Sequence, residues 1–381
     1  MDFQLSEEQR MWQAVVQDFC QTELKPRAAQ TDHEAILPMD VVAKMAPLGL
    51  LGLAVPEADG GPGLDTIGAV IAAEELGRAC GSTALSVVAH NGLCVGPIVN
   101  FGTVAQKSAY LPLLMSGQGL GALALTEPGA GSDLVNGVKT VATQEGGDWV
   151  INGSKAWITN VSIAPFVIVL CRTNPEAGTR GFSHLIVPTD APGLSINPPE
   201  EKMGLRGSPT HMLSFDKVRL PKENLLGEAG RGLQQTLVTL DGGRIGIGAM
   251  AVGLAQAALD EAIAYARERE TFGRPIGQHQ SIQNMLADMG TEIEAARLLV
   301  YKAAWTKEQG QAITTIAAMA KLFASETAER AARNAIQIHG GYGYSAEFPV
   351  ERIYRDQRLL TIGEGTSEIL RMVIGRKVLD R

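Results

Sequence analysis

Residues 362–369 read "IGEGTSEI" and put a carboxylate, Glu364, between Gly363 and Gly365. The apolar stretch "RLLTIG" runs up to it, and an apolar helical pattern runs on from it. Burial in such surroundings raises the pKa of a carboxylate. Flanking glycines let a ligand approach the backbone closely. An acid in the first turn of a helix, favoured by the helix dipole, is the competing reading of the same residue.

Other segments carry weaker signals. "LTEPGAGSD" (125–133) follows the strand-like "GALAL" and turns through Gly, Ser and Asp. Such loops expose backbone N–H groups that bind the polar edge of a ring or a phosphate, and an ordinary β-turn has the same composition. "WIT" (157–159) ends another strand. Trp157 reads either as core or as a platform for a planar cofactor, with Thr159 donating a hydrogen bond. "GGYGY" (340–344) either stops a helix or brings the backbone close to a cofactor. "GIGAMA" (246–251) looks like a dinucleotide fingerprint but lies in a helical stretch, and the fingerprint must follow a strand. Its reading is close helix packing. The six histidines show no metal spacing.

Composition narrows the classes. The chain has 381 residues, 45% hydrophobic and 19% charged, ordinary for a soluble globular protein with more than one packed unit. A net charge of −8 argues against a nucleic-acid binder. Cys20, Cys80, Cys94 and Cys171 form no CxxC pair and read as reduced core thiols, which suits a cytoplasmic location. The opening "MDFQLSEEQR" is acidic and polar, unlike a signal or transit peptide. The longest apolar runs, such as "LGLLGLAV", are far shorter than the roughly twenty residues of a membrane span.

The elements that position these residues follow from proline and glycine. Of eighteen prolines, only Pro275 and Pro349 lie beyond Pro221. Long helices are expected there, with those two prolines at turns. The apolar spacing of 286–305 agrees, and the region reads as a helical bundle. The runs 149–159, 165–173, 181–188 and 211–221 are short, β-rich and bounded by turn residues, the signature of an antiparallel β unit. "NG" at 152–153 reads as a hairpin turn. The N-terminal part is helical again: Ser6 with Gln9 forms a capping box, and 66–81 and 103–117 are helical. The expected class is α+β, with an N-terminal helical domain (1–120), a middle antiparallel β-domain (121–228) and a C-terminal four-helix bundle (229–381).

"LTEPGAGSD", "AWIT", "RERETFGRPIGQHQSIQ", "IQIHGGYGY", "ERIYRD" and "GEGTSEI" occur in this order and at these separations in the acyl-CoA dehydrogenases. The chain resembles that family over its whole length. The resemblance implies an FAD-dependent oxidoreductase acting on a CH–CH bond. It would convert an acyl-CoA to the trans-2-enoyl-CoA in fatty acid or amino acid catabolism. It would be a homotetramer passing electrons to an electron-transfer flavoprotein, with no nucleic acid or membrane as partner. Leu125, Thr126, Trp157, Ile158 and Thr159 would meet the flavin ring. Ser132 would lie where FAD and CoA approach each other. Arg269, Phe272, Gln280, Gln337, Gly340 and Gly341 would meet the FAD of a neighbouring subunit. Thr366 and Glu368 would contact FAD beside the catalytic loop. Asp241, Arg244 and Arg376 would lie on the CoA side, and Gly363 and Gly365 beside the substrate. Glu364 matches the catalytic base. The enolate oxygen would be held by the Glu364 N–H and a ribityl hydroxyl of FAD.

Two positions bear on the substrate. Some members carry the base on an earlier helix, where this chain has Gly243. Many straight-chain members have tyrosine where it has Gly363, and its loss favours a short branched or cyclic acyl group. A flavin oxidase or monooxygenase on the same fold, or a non-catalytic flavin-bearing protein, are the alternatives.

Overall fold

The structure, a computed structural model, describes residues 4–380, so the opening "MDFQLSEEQR" starts outside the described residues. Helix α1 (Glu7–Phe19) begins at the expected capping box: Gln9 N–H donates to Ser6 Oγ at 3.1 Å and Ser6 N–H to Gln9 Oε1 at 3.0 Å. Helices α2 (Thr66–Ala79), α3 (Gly81–Ala89) and α4 (Val104–Met115) follow, α4 starting from a second box made by Thr103 and Gln106.

The middle of the chain forms one sheet. Its strands are β1 (Ala122–Ala124), β2 (Val141–Glu145), β3 (Asp148–Thr159), β4 (Phe166–Arg172), β5 (Phe182–Pro188), β6 (Leu194–Pro199), β7 (Thr210–Leu220) and β8 (Leu225–Leu226). The order is β6-β7-β3-β2-β4-β5-β8, mainly antiparallel, with β1 and β2 parallel to β4. The hairpin turn is not at "NG". Gly146 and Gly147, with φ of 64° and 96°, join β2 to β3, because a tight hairpin needs left-handed backbone at both turn positions. Asn152 and Gly153 lie inside β3, at an irregularity opposite β7, where Asn152 Oδ1 accepts the Lys217 N–H at 2.9 Å.

The C-terminal bundle comprises α5 (Gly232–Glu268), α6 (Gln280–Glu308), α7 (Thr314–His339), α8 (Pro349–Gln357) and α9 (Ser367–Leu379). Pro275 lies between α5 and α6, and Pro349 opens α8, where its missing N–H costs nothing. "GIGAMA" is within α5, and a Cβ at Gly248 would stand 3.1 Å from Val300 on α6, so the glycine serves helix packing. Two helical stretches, Gly81–Phe101 and Gly232–Glu268, are long and apolar enough to cross a bilayer, contrary to the short-run estimate from sequence. Their apolar windows are 67% and 72% buried inside the fold, so this apolarity serves the core.

Polar contacts tie the three regions together. Arg355 on α8 forms an ion pair with Asp32 at 2.6 Å, and Asp356 Oδ1 accepts the Leu205 N–H at 2.5 Å. The buried His90 accepts the Gly121 N–H at 2.7 Å.

Candidate active site

The chain leaves α8 through a tight turn (Arg358–Thr361), and α9 begins at the Thr366 N-cap. Glu364 therefore lies two residues ahead of the cap. The first-turn position belongs to Glu368, which is exposed. This removes the helix-start reading of Glu364. Its backbone is left-handed, with φ of 58°, followed by Gly365 at 97°. A non-glycine residue in that region is uncommon and stores strain that surrounding bonds must hold. Here both carbonyls are held. Arg244 Nε donates to the Glu364 carbonyl at 3.3 Å, and Lys321 Nζ donates to the Gly365 carbonyl at 2.8 Å.

The carboxylate points at α5. A Cβ built on Gly243 would stand 2.7 Å from Glu364 Oε2 and 3.1 Å from Oε1. Oε2 is enclosed and has no hydrogen-bond partner, although part of the residue reaches the surface. Burial pushes the Glu364 carboxyl up to about 7, against the pull of Arg244 and Lys321. Among the described residues, no acceptor takes the Glu364 N–H. Arg244 is buried and pairs with Asp241 Oδ1 at 2.6 Å, while Thr314 donates to Asp241 Oδ2 at 2.5 Å. The arrangement offers a proton acceptor tuned near neutrality beside a free N–H donor. That pair can take a proton from carbon and stabilise charge developing on an adjacent oxygen.

A second group is built on β3. Lys155, fully buried, donates to the Leu125 carbonyl and to Glu127 Oε1, each at 2.9 Å. Glu127 also accepts the backbone N–H of Lys139 at 2.7 Å and of Thr140 at 2.9 Å. Burial pushes the Glu127 carboxyl up, but Lys155 and these donors outweigh it and hold it below the usual range. Ala156 N–H donates to the Thr126 carbonyl at 2.9 Å, so the 125–133 loop is locked to β3. The strand then bulges against β7 between Lys155 and Ile158. Trp157, at φ 61°, is turned out by that bulge and is 60% exposed; it is not a core tryptophan. Ile158 is buried, Thr159 half-buried and Ser132 exposed.

A third group lies on the bundle surface. Strands β9 (Glu270–Thr271) and β10 (Arg274–Pro275) form a hairpin whose tip, Phe272, has φ of 52° and is 97% exposed. Arg269 sits 5.9 Å from the ring centre of Tyr342, linking this hairpin to the 340–344 turn. Gly340 N–H donates to the Gln337 carbonyl. Gln337, Gly340, Gly341 and Gln280 are all exposed.

Among the described residues, no hydrogen bond or ion pair joins one group to another. Thr366 and Glu368 line a polar groove of about 400 Å³ with Arg330, Arg333, Arg358 and Arg371. Arg376 is exposed in the last turn of α9, roughly 14 Å along the axis from Ser367 at the helical rise, and takes no part in the Glu364 cluster. Sequence reasoning missed Lys321, Glu127 and Lys155. The signal for Lys321 was there: it falls on an alanine stripe (Ala317, Ala320, Ala324, Ala328), where a charge interrupts the apolar face.

Three family models match in succession: the acyl-CoA dehydrogenase N-terminal domain over residues 6–118, the middle domain over 122–218 and the C-terminal domain over 230–379. The chain is 52% identical, over the full length of both, to the probable acyl-CoA dehydrogenase YngJ of Bacillus subtilis. It superposes with a TM-score of 0.96 and 42% identity on butyryl-CoA dehydrogenase from Megasphaera elsdenii, covering all of both chains. A chain from structural work on the electron transferring flavoprotein of Acidaminococcus fermentans gives 0.98 and 41%, again over both full lengths. With its three regions matched in order and its whole length covered, this chain belongs to the acyl-CoA dehydrogenase family.

Proposed function

We propose that this chain oxidises a short acyl-CoA thioester to the trans-2-enoyl-CoA and passes the electrons to an electron-transfer flavoprotein. The observation that carries the reading is the enclosed, unbonded carboxylate of Glu364 beside its own free N–H. The α-proton of a thioester is only weakly acidic, so its removal needs a positioned base and a stabilised enolate oxygen. Glu364 Oε2 takes the proton. The Glu364 N–H, fixed by the left-handed turn, receives the thioester oxygen. Arg244, braced by Asp241, steadies the loop from α5 and presents charge to the CoA side.

The residues present fit a flavin. Trp157, 60% exposed on a strained bulge next to a loop locked by the Glu127–Lys155 pair, is a rigid platform open to a planar group. Leu125, Thr126, Ser132, Trp157, Ile158 and Thr159 would hold the ring of FAD, with Thr366 and Glu368 nearby. FAD, when bound, accepts the hydride that leaves the β-carbon. Arg269, Phe272, Gln280, Gln337, Gly340 and Gly341 would meet the cofactor of a neighbouring subunit. This reading includes a homotetramer, in which the exposed Phe272 and Tyr344 would be covered. Arg376 would approach CoA from the end of α9. Gly363 and Gly365 would border the acyl group.

This reading includes the division 1–120, 121–228 and 229–381 and a cytoplasmic location. A panel of straight and branched acyl-CoAs, assayed with an artificial acceptor and separately with oxygen, tests it. Turnover of butyryl-CoA with the acceptor supports a dehydrogenase. Turnover with oxygen alone, or none with any thioester, overturns it.

A further inference from the structure

Lys321 is fully buried on the alanine face of α7. An ammonium there is costly unless it is paired. Its one hydrogen bond among the described residues is to the Gly365 carbonyl, at 2.8 Å. Glu364 is the next residue, yet no ion pair within 4 Å joins the two side chains, and Glu364 Oε2 stays without a partner. A lysine bonded directly to Oε2 would occupy the lone pair that must take the proton. One bonded to the neighbouring carbonyl supplies positive charge and leaves that lone pair free.

We propose that Lys321 is a positioning residue for Glu364, holding the 363–365 turn through the Gly365 carbonyl and keeping the base ionised without capping it. The inference rests on Glu364 as the base. Two further observations agree with it. Arg244 reaches the same turn from the opposite helix, on the Glu364 carbonyl, so both left-handed residues are pinned from two sides. Burial pushes Lys321 down to about 8, and Glu364 is the largest of the groups that oppose it. The charged groups around the pair are Arg244 and its partner Asp241 from α5, Glu326 from α7 and Glu368 from α9. Glu326 is taken up by Arg371 at 2.7 Å. Lys321 and Arg244 are thus the cations acting on Glu364.

The experiment uses FAD-loaded enzyme and follows flavin bleaching by butyryl-CoA, by rapid mixing, across a pH series. Lys321→Met and Lys321→Gln should each move the midpoint of the rate profile upward by about one unit, a roughly tenfold loss at about pH 6 that shrinks to within about threefold near pH 9. Lys321→Arg keeps the charge and should keep the wild-type midpoint. FAD content and melting temperature, measured on each variant, identify any that fails to fold. The Gln and Arg variants still carry the test if Met does not fold. Neutral variants with an unshifted midpoint, or an Arg variant shifted as far as Met, overturn the proposal. Glu364→Gln separates the two claims. If it bleaches at the wild-type rate, the base assignment fails and the proposal with it. If it is inactive while the Lys321 midpoints are unshifted, the Lys321 inference alone fails.

Discussion

The Glu364 carboxylate lies against the backbone of Gly243, 121 positions earlier in the chain, so closely that a Cβ there would stand 2.7 Å from Oε2. Gly243 is thus the floor on which the Glu364 carboxylate rests.

Gly243→Ala should therefore act on chemistry more than on folding. Gly243 is in the interior of α5, where alanine is the better helix former. The added methyl meets the flexible end of one side chain and displaces it. A misplacement of about 1 Å typically costs on the order of a hundredfold in rate. The expected outcome is a fall of roughly ten- to a hundredfold in flavin reduction, with FAD content and melting temperature retained. Near wild-type reduction by rapid-mixing spectroscopy would show that the carboxylate has room to move.

Glu364→Gln removes the proposed base and keeps the shape. Bleaching by substrate should drop by several orders of magnitude while FAD and acyl-CoA still bind. Wild-type reduction should rise with pH through about 7, where burial places the carboxyl. Stability should move the other way. The folded pKa lies above the ordinary value of 4.5, so this group's contribution is fully present below about 4.5 and is lost as pH rises through about 7. The loss is at most about 3 kcal/mol. Thermal unfolding should find Glu364→Gln more stable than wild type above neutrality and equal to it near pH 4.5. Equal melting temperatures across the series would contradict the enclosed carboxylate.

Gly363 has open space around it. A Cβ there would meet nothing closer than Leu359 at 3.8 Å, and its backbone is not left-handed. Gly363→Tyr should fold. The ring should crowd a branched acyl group at a cost of about 1–3 kcal/mol, shifting the ratio of kcat/KM for butyryl-CoA over isobutyryl-CoA by roughly tenfold. Equal losses for the two substrates would remove the argument that this glycine opens the pocket.

Arg269 is exposed on one chain yet held near Tyr342. Arg269→Ala should weaken both FAD retention and the tetramer, because a ligand that bridges subunits stabilises the assembly it needs. Size-exclusion chromatography and flavin absorbance read the two effects. If neither changes, the third group is not a shared cofactor site.

What is local could be read from the sequence. The Ser6–Gln9 box, the long helices of the proline-poor C-terminal part and the β-rich runs depend on neighbours a few residues apart, and the structure has them. Glu364 stood out for the same reason, through its two glycines and its apolar approach. The structure decided what depends on contact between distant segments. "NG" lost the turn to "GG" because β3 continues past it, pairing with β7 on both sides of an irregularity there. Trp157 faces outward because that pairing slips at a bulge, and an alternating pattern read from sequence flips wherever the register shifts. Lys321 went unnoticed in an apolar stripe because its acceptor, the Gly365 carbonyl, lies 44 residues away. The hydrophobic pattern placed the helices. Only their packing brought a glycine, a lysine and an arginine from two of them around one carboxylate.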